Sequence, residues 1–255
     1  MNSKLTIIQH NCGNSNAKAT RPFYDSLTQP QVIAVQEPAY NRMTKSTYCP
    51  KPYELAYEAL PETRVCFMIR RDIGAAQWRR RQYGPNVAAL ELTTLRGKIT
   101  IINVYNSRNG GPRLREWERI AEALQEAKEE VLLLGDFNSH HQAWGGQGVV
   151  CEQSAEHLLV EAERRGLILL TPRGEPTWKK GQQETTIDLS FASHALSTRV
   201  EYCGPKEKWA LIQDHIPIQI RLDIRQAPDA QDTRRRYALY RLNSQGLTAA
   251  LRKSG

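Results

Sequence analysis

Apolar residues in this chain come in short runs, and several of the runs end on polar side chains. Residues 5–9 (Leu-Thr-Ile-Ile-Gln) lead to His10-Asn11, and residues 32–35 (Val-Ile-Ala-Val) stop at Gln36-Glu37-Pro38. Runs of this length, rich in β-branched residues and bounded by turn formers, predict strands. The same reading gives strands over 53–57, 65–69, 87–92, 99–105, 131–134, 167–170, 186–191, 199–202 and 216–222, with Thr94-Leu95-Arg96-Gly97 as a turn. Helical spacing is fainter. It predicts a short helix over 18–27, and another opened by Pro112 with Leu114, Trp117, Ile120, Ala121 and Leu124 on one face. A third is expected over 154–165, with Ser154 as its N-cap, Leu158, Leu159 and Ala162 facing inward, and Gly166 as its stop. Many strands with few helices and mixed connections imply an α/β protein of two packed sheets with helices outside.

The run 131–134 is the one the chain is organised around. It ends at Gly135-Asp136-Phe137-Asn138, and in an extended chain Asp136 and Asn138 would project to the same side. A carboxylate and an amide at the open end of a buried strand suit activating and aiming a water molecule. The plainer reading is a turn begun by Asp136 and stabilised by Asn138. Recurrence separates the two. Asn11, Glu37 and Tyr105 end other strands, Asp188 sits in the strand 186–191, and Asp214-His215 immediately precedes the last strand. Several strands each delivering one polar residue at a tip is how a rigid scaffold builds a site. Carboxylates without cysteine ligands suit a hard cation such as Mg²⁺ or Mn²⁺.

Bulk properties narrow the setting. The 255 residues are 40% hydrophobic and 24% charged, ordinary for a globular protein with a sizeable core. No apolar run is long enough to cross a membrane, and Met1-Asn2-Ser3-Lys4 leads straight into a strand, so no signal peptide is expected. The five cysteines are scattered, with no zinc-ligand spacing, which points to reduced thiols. The net charge of +8 sits largely in the tail: Arg225 to Lys253 hold seven basic residues against Asp229 and Asp232. This predicts a catalytic domain over 1–224 and a basic linker over 225–255, the latter holding Arg234-Arg235-Arg236 and an amphipathic piece over 239–251. A basic balance fits a polyanionic partner, with a solvated tail as the alternative.

Over roughly residues 4–222 the chain resembles the endonuclease/exonuclease/phosphatase superfamily. The residues that carry the likeness are Asn11, Gln36-Glu37-Pro38, Tyr105, Gly135-Asp136-Phe137-Asn138, Ile187-Asp188 and Asp214-His215, in that order. More narrowly, Asn138-Ser139-His140-His141 with Trp144-Gly145, Pro176-Thr177-Trp178 and the basic tail look like the endonuclease domain of non-LTR (LINE-type) retrotransposons, where a linker leads toward a reverse transcriptase. The resemblance implies a four-layered α/β sandwich, Mg²⁺, and phosphodiester hydrolysis that nicks DNA, reached in the nucleus. It also implies roles. Glu37 would bind the metal, supported by Asn11, with Asp214 beside them. Asp136 would activate water and Asn138 would orient groups around it, while Asp188 would hold the His215 imidazole, and His215 and Tyr105 would stabilise the scissile phosphate. Two positions depart from the pattern. Gly13 stands where abasic-site repair members usually carry an acid, which argues against that branch, and Gln213 stands where Ser commonly precedes Asp-His.

Other residues keep two readings. His140 and His141 touch DNA or cap their loop, and Trp178 stacks on bases or packs, whereas Trp144 is read first as a packing residue. Lys179 and Lys180, at the expected tip of a β-hairpin, contact phosphates or are simply solvated. Arg79-Arg80-Arg81 between Trp78 and Tyr83 is equally open. Two further functions compete with the nuclease: a phosphatase of the same superfamily acting on a small phosphoester or lipid headgroup, and a nucleic-acid-binding remnant without turnover. The second is disfavoured because every expected catalytic position is filled.

Overall fold

The computed structural model describes residues 3–15, 30–94, 96–107, 114–127, 130–209 and 214–224. One six-stranded sheet runs in the order β13 (Val200–Pro205), β14 (Ile218–Asp223), β1 (Lys4–Asn11), β2 (Val32–Gln36), β4 (Val65–Arg70), β3 (Tyr53–Ala56). The second runs β5 (Trp78–Gln82), β6 (Val87–Thr94), β7 (Gly97–Tyr105), β8 (Glu130–Asp136), β12 (Asp188–Ser193), β9 (Leu167–Leu169). A separate hairpin pairs β10 (Trp178–Lys180) with β11 (Gln183–Thr185). Both sheets are mixed, with β1–β2 parallel in one and β7–β8 parallel in the other.

Strand alternation sorts the side chains into layers. From β1, β2, β7 and β8, the residues Leu5, Ile7, Val32, Ala34, Ile99, Ile101, Leu132 and Leu134 meet in one core cluster, the seam between the sheets. The alternate residues of the second sheet, Ile102, Val104, Val131 and Leu133, face a second cluster. That cluster is closed by Ile120, Ala123 and Leu124 of α1 (Leu114–Glu126), Trp144 of the short α2 (Gln142–Gly145), and Leu158 and Ala162 of α3 (Gln153–Arg164). A further single-turn helix, α4 (His194–Ser197), follows β12. On the far side of the first sheet, Ile8, Ile33, Val35, Cys66 and Met68 pack under Tyr48, Cys49, Tyr53 and Tyr57. Two mixed sheets face to face with helices outside make the α/β sandwich expected from the pattern.

Several local expectations are corrected. The third helix begins at Gln153, and Ser154 is not its cap: its hydroxyl lies 3.2 Å from Ser139 Oγ and donates to Glu152 Oε2 at 3.4 Å. In α1 the inward position belongs to Ala123, with Ala121 only half-buried. The Arg79-Arg80-Arg81 run, unassigned from its composition, lies in the edge strand β5, where charge guards an open edge against further pairing. The chain also does not stay extended beyond Asp136, because Asn138 adopts φ +46°. The helix expected over 18–27 and the basic tail from 225 lie outside the described residues.

Candidate active site

Register alone puts three of the expected residues in one row. Tyr105 pairs with Asp136 across β7–β8, and Asp136 pairs with Asp188 across β8–β12. Residues directly opposite one another project to the same face, here the seam-facing side, at one rim of the sandwich. Gly135 makes the approach possible. A Cβ at this φ of +150° would sit 2.0 Å from the Val104 carbonyl oxygen of the neighbouring strand.

The first sheet supplies the other half. Asn11 ends β1, and its Nδ2 donates to Asp136 Oδ2 at 2.8 Å. Asn138 donates twice to the same carboxylate, from its backbone N to Oδ1 and from its Nδ2 to Oδ2, both at 2.9 Å. Asp136 is thus aimed by three donors, and the turn reading and the water-activating reading describe one arrangement. His215 lies just before β14. Its Nδ1 is 2.9 Å from Asp188 Oδ2 and its Nε2 is 3.9 Å from Asp136 Oδ2. Asp136, Asp188 and His215 bring their side-chain N and O atoms within 4.8 Å of one another.

One residue with no expected role holds this arrangement together. Thr177, fully buried, accepts at Oγ1 from the backbone N of Ile187 (3.0 Å) and of Asp188 (2.9 Å). Its carbonyl accepts from Ile216 N at 2.7 Å, and its own N donates to Thr185 O at 2.9 Å. Thr177 therefore ties the hairpin, the Asp188 strand and the His215 segment into one unit. Nothing in its identity marks it beforehand, apart from its place in Pro176-Thr177-Trp178.

The charges are poised. Burial, then the neighbouring Asp188 carboxylate, push the Asp136 carboxyl up to about 7, against His215 and the donors on it. For His215 burial works against the charged ring, but Asp188, Asp136 and Glu37 overcome it and raise its pKa to about 9. The Tyr105 phenol is held well above its usual range by burial and then by Glu37, so it stays a hydrogen-bond donor. Glu37 itself is half-buried just past β2, in a left-handed conformation (φ +48°) that a side-chain-bearing residue rarely adopts. Among the described residues no lysine or arginine pairs with Glu37, Asp136 or Asp188. Three carboxylates against one imidazole is a donor set that fits a hard divalent cation.

The remaining expected residues divide. Asp214 is not brought into the cluster: its carboxylate, about half exposed, turns to Lys180 Nζ at 3.4 Å. Its carbonyl accepts from Lys179 N at 2.7 Å, and Trp178 bridges His215 through the main chain. Lys179 is also paired, to Glu207 at 2.8 Å and Glu184 at 3.2 Å, so both hairpin cations already have acidic partners. His141 is spent on its loop. Buried, it accepts from Ala143 N at Nδ1 (3.0 Å), with Nε2 3.3 Å from Glu156, capping α2 beside the Trp144 ring. That is the loop-capping arrangement, and the more exposed His140 is paired with Glu152 at 3.0 Å. Trp144 is fully buried, and its Nε1 donates to Ser139 O at 3.0 Å.

The two-sheet sandwich is the fold of several solved nucleases. Residues 99–219 match a family described as endonuclease-reverse transcriptase. The endonuclease domain of TRAS1, a telomere-specific non-LTR retrotransposon, superposes with a TM-score of 0.71 at 15% identity, over 88% of this chain and 100% of that one. The AP endonuclease LMAP from Leishmania major gives a TM-score of 0.68 at 14% identity, over 86% of this chain and 88% of its own. The 3'-5' exonuclease NExo from Neisseria meningitidis gives 0.63 at 15%, over 86% and 100%. No curated protein matches the chain.

Proposed function

We propose that this chain is a divalent-metal-dependent phosphodiester hydrolase that nicks one strand of DNA, the opening cut of retrotransposition, as part of a polyprotein that also carries a reverse transcriptase. Its working place would then be the nucleus. Among the described residues no helix is long and apolar enough to cross a membrane. The observation that carries the reading is the row Tyr105–Asp136–Asp188, closed from the opposite sheet by Asn11 and His215.

Each side chain has work that its geometry supports. Asp136, oriented by Asn11 and Asn138, takes a proton from the attacking water. His215, kept protonated by Asp188, presents Nε2–H to a phosphate oxygen in the gap between itself and Asp136. Tyr105 offers a second donor on the same rim. Glu37, whose carboxylate acts on both Tyr105 and His215, would with Asn11 hold Mg²⁺ or Mn²⁺, which when bound neutralises developing phosphate charge. Hydrolysis of a nucleic-acid phosphodiester is favoured over a small phosphoester by the endonuclease-reverse transcriptase match and by the basic balance of the sequence.

The test is supercoiled plasmid with Mg²⁺ and with EDTA, beside p-nitrophenyl phosphate. Open-circle product that needs Mg²⁺ supports the nuclease. Release of p-nitrophenol with intact plasmid would move the assignment to a phosphatase, and inertness toward both would make the chain a binding remnant.

A further inference from the structure

One row below the catalytic row, the seam turns polar a second time. By strand alternation Gln9 lies beneath Asn11, Asn103 beneath Tyr105, and Ser190 beneath Asp188. Asn103 and Ser190 flank Leu134 in register, one strand to each side. Each reaches across to the first sheet. Ser190 Oγ donates to Gln9 Oε1 at 3.1 Å. Gln36 Nε2 donates to Asn103 Oδ1 at 2.5 Å, while Asn103 Nδ2 donates to the Val35 and Cys66 carbonyls, both at 3.0 Å. All four side chains are at most 1% exposed.

We infer that Gln9–Ser190 and Gln36–Asn103 are positioning pairs that fix the separation and register of the two sheets at the catalytic rim. The inference rests on the nuclease reading of that rim. The site is split, with Asn11 and Glu37 at the end of one sheet and Tyr105, Asp136 and Asp188 on the other, and among the described residues no main-chain ladder joins the two sheets. The apolar seam below is non-directional and sets no side-chain register, whereas hydrogen bonds are tight in distance and angle. Stability alone is better served by apolar residues of like volume, since Gln9 Nε2 and Gln36 Oε1 are left buried without partners. The pairs also sit where they act on the site: Gln36 immediately precedes Glu37, and the other three are two residues from a catalytic side chain on the same face. The sequence signal is that period of two, a polar residue two places before or after the strand-end one.

Two paired replacements test this, Gln9→Met with Ser190→Ala and Gln36→Met with Asn103→Leu, with Ser190→Thr as the conservative control. They preserve volume, and thermal melts confirm folding. Single-turnover nicking at saturating DNA is expected to fall by about tenfold or more, because small misplacements of reacting groups are costly. DNA affinity in Ca²⁺ should stay within about twofold and Ser190→Thr should retain activity, because the surface is untouched and the hydroxyl is kept. Amide exchange should quicken at Glu37 and Asp188 but not at the opposite rim. Folded paired variants with wild-type rates and unaltered exchange would overturn the inference. If the wild type does not cleave DNA, the nuclease reading fails, and the pairs are then judged on local exchange: uniform acceleration across both sheets would mark them as ordinary core bonds. If a paired variant fails to fold, Ser190→Ala alone carries the same comparison.

Discussion

Asp136 and Asp188 are direct cross-strand partners, two buried carboxylates placed side by side by the register of β8 on β12. Like charges in such a pair are destabilising. His215 bonded to Asp188, with the donors on Asp136, offsets part of the cost.

The consequence for stability has a definite sign. Asp136 titrates near 7 instead of near 4, so between those values the folded state holds more protons than the unfolded one. His215 titrates near 9, so the same holds between its ordinary value and 9. Stability without metal should therefore fall as pH rises through this whole window. Glu37, Asp188 and Tyr105 are other ionisable groups that act on the pair or on its neighbours. Asp136→Asn removes the charge but turns an amide nitrogen toward one of the three donors, so its melting temperature in EDTA should gain on that of the wild type as pH rises from 5 to 8. A difference from wild type that does not change between pH 5 and pH 8 would show that Asp136 is not a strained, buried charge.

His215→Ala should lower the nicking rate by about 10²–10³, the usual cost of one lost transition-state donor. Asp188→Asn should act differently. Without the carboxylate the imidazole loses its proton at lower pH, so the alkaline limb of the pH–rate profile should move downward from about 9. A profile that merely drops in height would assign Asp188 a role unconnected with His215.

Thr177→Val keeps the shape of the side chain but strips the acceptor from two buried amides. Leaving buried donors unsatisfied costs about 1–3 kcal/mol, so the variant should melt earlier, and Thr177→Ser should recover most of the loss. Equal melting of the Val variant and wild type would remove Thr177 from its place beneath Asp188.

The hairpin lysines are not free cations, and under the proposed function DNA would have to displace Glu184, Glu207 or Asp214 to use them. Replacing both by Ala should thus reduce the salt dependence of DNA binding by fewer than about two charges. Glu184→Gln with Glu207→Gln should strengthen binding at low salt. Weaker binding by that variant would mean the ion pairs shape the hairpin for DNA and do not compete with it.

Much of the fold could be read in advance because buried strands announce themselves by β-branched runs that stop at polar residues. Asn11, Tyr105 and Asp136 were visible for that reason. Strand β5 was hidden because an edge strand of Trp-Arg-Arg-Arg-Gln has no apolar face to declare. The direction of Asp214 was not legible, because adjacency to His215 in sequence says nothing of which way a loop residue turns; its carboxylate lies against Lys180. Thr177 carries a different lesson, because its work is with backbone groups brought near by tertiary packing, which no local pattern records.

The most direct test concerns Asp136 as the group that activates water. Wild type and Asp136→Ala, matched in purity and shown to fold alike, are incubated with supercoiled plasmid and Mg²⁺, and open-circle product is followed with time. The expected result is nicking by the wild type and none above background by the variant. Comparable nicking by both would contradict the assignment of this rim as the catalytic site.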